Sequence, residues 1–88
     1  MVSIKYRKIL AKKGLILDPS GLKWPIFDPG HARAAKAYAS KALKAGTISK
    51  AKYAKIIRAS TIANNIFANG GTQADVAAAF KKYKLYLT

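Results

Sequence analysis

Glutamate is absent from all 88 residues, and aspartate occurs only three times. Each aspartate has a local structural task. Asp18 and Asp28 precede prolines, and Asp75 stands three residues after Thr72, which are the positions of turn and helix-start residues. General acid–base chemistry needs two titratable groups in one pocket. With those three carboxylates and a single histidine, His31, the chain is not read as an enzyme, and no catalytic residue is assigned. Cysteine is also absent, which removes disulfides and thiolate metal sites. No metal site and no cofactor is expected. The loop Asn69-Gly70-Gly71-Thr72 precedes a helix, but it lacks the lysine and the length of a phosphate-cradling motif. No small-molecule substrate is therefore assigned.

Long apolar runs are missing as well. The longest stretch without a basic residue, 59–80, contains Asn64, Asn65, Asn69, Gln73 and Asp75 and cannot span a bilayer. Near the N-terminus, Lys5, Arg7 and Lys8 before Ile9–Ala11 have the outline of a secretory signal. Lys12 and Lys13 interrupt the apolar part at once, so that reading is rejected.

What is present is positive charge. Seventeen lysines and arginines give a formal net charge of +14. A domain this small and basic repels itself unless something anionic lies against it. Half of the residues are hydrophobic, so the chain is no disordered basic tail, although 17 of those residues are alanine and the core is correspondingly thin. Lysines outnumber arginines fourteen to three. Lysine offers a point charge to phosphate, whereas arginine makes the planar fork that reads guanine edges. Backbone binding without base readout is the expectation.

Punctuation divides the chain into an all-α fold of four helices, about 3–13, 29–45, 49–69 and 73–86, with an extended arm at 14–28. Ser3 and Gly14 bound the first helix, whose packing face is narrow: Tyr6, Ile9 and Leu10. Asp18-Pro19-Ser20-Gly21 is the pattern of a type I turn. Pro25 is expected to hold Trp24 extended. A two-stranded hairpin is the alternative to the arm, but two strands alone are marginal in water. Asp28 caps the second helix, with Pro29 in its first turn and Gly46 at its end. Its Ala32, Ala35, Tyr38, Ala39, Ala42 and Leu43 form the side for close packing. Helices 3 and 4 form a helical hairpin, the fourth opened by a Thr72/Asp75 capping box. The division expected is a basic N-terminal helix plus arm (1–28) and a helical domain (29–88).

Lys5, Arg7, Lys8, Lys12 and Lys13 form one cationic cluster. Arg33, Lys36, Lys41 and Lys44 form a second, within about 140° of arc on helix 2. Lys50, Lys52, Lys55 and Arg58 form a third, and Lys81–Lys84 add a short run. These first three clusters are the expected nucleic-acid-binding residues. Trp24, Ile26 and Phe27 in the arm, with Ile62, Ile66, Phe67, Val76 and Phe80 in the charge-free block, are the expected interface between copies. The Thr72–Ala77 stretch resembles helix-turn-helix domains only superficially, because alanines stand where base-contacting side chains belong.

Together these features describe a structural protein that coats or condenses a genome by sequence-independent phosphate contacts. The partners are nucleic acid, with double-stranded DNA favoured and RNA the alternative, and other copies of the chain. The setting is a virion or nucleoprotein particle, as a capsid or nucleocapsid protein. A ribosomal protein or a cytoplasmic nucleoid protein is the competing reading. A cationic membrane-surface protein is the competitor of another class, disfavoured because an alanine face inserts poorly into lipid.

Overall fold

The computed structural model describes residues 3–87. Six elements follow in order: α1 (Ile4–Lys12), β1 (Ile16–Asp18), β2 (Lys23–Pro25), α2 (Pro29–Ala45), α3 (Lys50–Ala68) and α4 (Gln73–Lys82). The four helices are those expected, and α3 and α4 form the helical hairpin.

Each helix begins where a short oxygen-bearing side chain can accept from its first turn. Ser3, Asp28, Ser49 and Thr72 accept from the backbone N–H of Tyr6, His31, Lys52 and Asp75, respectively. At Thr72 the Asp75 carboxylate returns a bond to the cap backbone and completes the capping box.

All four helices stop in the same way. A residue at positive φ follows the last turn, and its own N–H and that of the next residue reach back to orphan carbonyls, the Schellman arrangement. In α1, Gly14 (φ +79°) donates to Ala11 O and Leu15 donates to Leu10 O. Gly46 and Gly70 end α2 and α3 likewise. In α4 the left-handed residue is Lys84 (φ +54°), with Leu85 N–H donating to Phe80 O at 3.0 Å. The fourth helix therefore ends at Lys82, short of the expected 86. The last residues turn back instead: Leu85 is buried, and Leu87 N–H donates to Leu17 O.

The 14–28 segment is not a free arm. It closes into an antiparallel hairpin in the register Ile16↔Pro25 and Asp18↔Lys23. Asp18 Oδ1 accepts from Gly21 N–H (3.1 Å) and from Ser20 Oγ (3.0 Å), fastening the turn. Two strands survive here because both are supported from outside. Leu15, Ile16, Leu17 and Ile26 have no exposed surface, and they share one core with Leu10, Ala32, Ala35, Ala39, Ile56, Ala59, Ala63, Val76, Phe80 and Leu85. Residues 1–28 and 29–88 thus contribute to the same apolar cluster.

The centre of that cluster is the α2–α3 contact. Ala32, Ala35 and Ala39 of α2 and Ala59, Ser60 and Ala63 of α3 are buried, and small side chains let the two backbones approach closely. The buried Ser60 hydroxyl is satisfied by donating to Ile56 O at 2.8 Å. Two side-chain bonds stitch the ends together: Tyr86 Oη donates to Gly14 O (2.7 Å), and Gln73 Nε2 donates to Phe27 O (2.9 Å). Only Leu10 of the expected α1 packing face is buried, because Tyr6 and Ile9 are exposed.

Candidate nucleic-acid interface

The cations have almost nothing inside the chain to neutralise them. Among the described residues the one ion pair is His31 with Asp28, at 2.9 Å, and no lysine or arginine lies within salt-bridge distance of a carboxylate. Fourteen of the seventeen are exposed, and only Arg7, Lys36 and Lys55 are half-buried.

Helical geometry arranges them in rows. Lys5, Lys8 and Lys12 fall within about 60° on the side of α1 opposite the buried Leu10. Arg33, Lys41 and Lys44 are exposed on α2, with Lys36 at the edge of the same flank. On α3 the set divides. Lys50 and Lys52 are exposed, but Lys55 Nζ donates to Tyr86 O (3.3 Å) and so holds the C-terminal segment. Arg58 sits 5.7 Å above the Tyr83 ring, and Lys82 stands 5.4 Å from the same ring. Lys13, just past α1, is exposed.

Arg7 is different from the rest. Its Nη1 donates to Leu22 O at 3.1 Å, and its buried Nε has no partner. Leu22 and Trp24 both take positive φ, +53° and +65°. Trp24 is therefore not extended as its place before Pro25 suggests. Positive φ in a bulky residue costs about 1–3 kcal/mol and needs support from its surroundings. That support comes from both sides: Arg7 holds Leu22 O, and Ile26 N–H donates to Leu15 O at 2.8 Å. In a regular strand residues 24 and 26 would share a face. The left-handed residue breaks that alternation. Ile26 enters the core, and Trp24 lines a surface notch.

The notch has a volume of about 500 Å³ and is walled by Arg7, Lys23, Trp24, Pro25, His31, Ala34, Ala35 and Tyr38. Its α2 wall is one helical flank, with spacing i, i+3, i+4, i+7 from His31 to Tyr38. Tyr38, expected to pack, is 62% exposed there. His31 is fixed by Phe27, whose ring centroid is 4.2 Å away, and Phe27 is met edge-on by Tyr6 at 5.4 Å. Lys23, His31 and Tyr38 were not readable as site residues by charge clustering. The adjacency Lys23-Trp24 and the helical spacing of His31 and Tyr38 across two alanines were the signals that could have found them.

Of the residues expected between copies, Ile26, Val76 and Phe80 lie wholly inside this chain's own core. A side chain with no exposed surface has none to offer a neighbour, so these three are corrected to core residues. Trp24 lines the notch, Phe27 packs between Tyr6 and His31, and Phe67 is half-buried against the core. Ile62 and Ile66 line a shallow groove between α3 and α4, together with Arg58, Lys82 and Tyr83. Comparison with protein-family models, curated proteins and solved structures finds no match to this chain.

Proposed function

We propose that this chain is a structural nucleic-acid-binding protein that coats or condenses a duplex through sequence-independent phosphate contacts. The observation that carries the reading is that, among the described residues, none of the seventeen lysines and arginines has a carboxylate partner, and fourteen of them are exposed. A surface selected for solubility mixes both signs. Size supports the same reading. The longest dimension is 34 Å, and that length of duplex carries about 20 phosphates, at one per ~1.7 Å. A net +14 matches a large part of that charge. A chain laid along one helical turn would therefore bring a formal charge equal to roughly 70% of that of the DNA it covers, of which the face turned to the duplex engages a part.

The burial of Ala32, Ala35 and Ala39 weighs against the membrane-surface alternative, because the alanine face of α2 is not free to meet lipid. Among the described residues no helix is long and apolar enough to cross a membrane. A contact between copies has to draw on partly exposed residues such as Ile62 and Ile66.

Duplex affinity measured against salt is the test. Engaging ~5 phosphates per chain gives a log–log slope near −4.5, with little difference between sequences. A slope near zero, or strong preference for one site over random DNA, overturns the reading.

A further inference from the structure

We infer that the notch between α1, β2 and α2 is a binding site for one unpaired nucleotide of a single strand, its base against the aromatic wall and its phosphate at the cations. The inference rests on the phosphate-binding reading above and adds a site where a base, and not only backbone, is held.

Four features converge on this occupant. First, the walls combine Trp24, His31 and Tyr38 with Arg7 and Lys23. Single-strand sites are built from aromatic rings that stack on bases and cations that follow the backbone. A purely anionic ligand such as an acidic peptide would use the cations and leave the rings without a task. Second, no carboxylate lines the notch, so nothing in its wall opposes a phosphate. Third, the site is held in shape. His31 is clamped between Phe27 and Asp28, and Arg7 pins the carbonyl of the left-handed Leu22. Strained backbone gathers where a side chain must be aimed, and Trp24 is aimed at this surface by its own positive φ. Fourth, the guanidinium of Arg7 is under-used. Among the described residues its side chain makes one hydrogen bond, and Nε makes none. The volume of about 500 Å³ falls within the ~300–1,000 Å³ of small-ligand sites. A base paired within a duplex cannot enter such a notch without leaving its stack.

Trp24 is the sole tryptophan of the chain, so its fluorescence reports on the notch alone. The full chain is titrated with an oligothymidylate of about 12 nucleotides, a length within single-strand site sizes, with a blunt duplex of equal length, and with thymidine monophosphate. The expected result is strong quenching by the single strand, little by the duplex, and none by the mononucleotide at the same nucleotide concentration. Tyr38→Ala, at a position 62% exposed, should weaken single-strand binding about tenfold and leave the thermal melt and duplex binding unchanged. Lys23→Gln should weaken it less. Unchanged Trp24 emission with the single strand, or a Tyr38→Ala variant that binds it like the parent, overturns the inference while salt-dependent duplex binding leaves the phosphate reading standing. Equal quenching by the mononucleotide overturns the single-strand assignment in favour of a free-nucleotide site. Binding of neither polymer overturns both readings.

Discussion

Asp28 shows how much rests on a single residue in a chain with so little acid. Partial burial pushes its carboxyl upward. The His31 backbone N–H, the His31 ring and the positive charges of His31 and Arg33 act the other way and prevail, so Asp28 titrates below the ordinary aspartate range. A carboxyl held low when folded adds stability that is present above its unfolded value, near 4, and is lost as pH falls through the lower folded value. With three side-chain carboxyls in the whole molecule, few other groups contribute to acid sensitivity. Asp28→Ser keeps a capping oxygen but removes the titrating group. Its thermal midpoint should fall less than that of the parent between neutral pH and pH ~3, and equal losses in the two proteins would show that Asp28 is not the sensitive group. Asp28→Ala should cost about 0.5–2 kcal/mol at neutral pH, because the first turn of α2 is left without its cap.

At the scale of the element, α2 carries three flanks with separate tasks. Ala32, Ala35 and Ala39 pack on α3, His31 and Tyr38 face the notch, and Arg33, Lys41 and Lys44 face water. The separation is testable within one helix. Changing Lys36, Lys41 and Lys44 together to glutamine should leave the melting profile nearly intact, weaken duplex binding, and shrink the salt slope by up to ~2.7, at about 0.9 for each phosphate no longer engaged. Ala39→Leu forces bulk into a position with no exposed surface and should cost about 1–3 kcal/mol of stability. Normal duplex affinity in the glutamine variant would reduce that flank to a solvated surface.

For the whole molecule, the N-terminal third is part of the core and not an appendage. Leu10, Leu15, Ile16, Leu17 and Ile26 have no exposed surface. At about 1.5–3 kcal/mol for each buried aliphatic side chain, their burial is comparable with the ~5–15 kcal/mol of a typical domain's total stability. The fragment 29–88 is therefore expected to lose its cooperative thermal transition by circular dichroism. A sharp two-state melt of that fragment would show that it folds as an independent unit.

What the amino-acid order determined by itself is what short-range chemistry controls. Ser3, Asp28, Ser49 and Thr72 start helices because their oxygens reach N–H groups two or three residues on, and glycines end three of the four because glycine tolerates positive φ. The missing acid is equally local information, since no fold can pair seventeen cations with three aspartates. Tertiary structure decided everything that depends on distant partners. Lys84 ends α4 without glycine because the chain must turn there for Leu85 to be buried and for Leu87 to meet Leu17. The hairpin at 14–28 exists because the core takes four of its side chains, which no two-stranded propensity reveals. Trp24 could not be read from its neighbours at all. Pro25 argues for an extended residue, and only the opposing pulls of Arg7 on Leu22 and of the core on Ile26 turn its backbone left-handed and bring it to the notch wall.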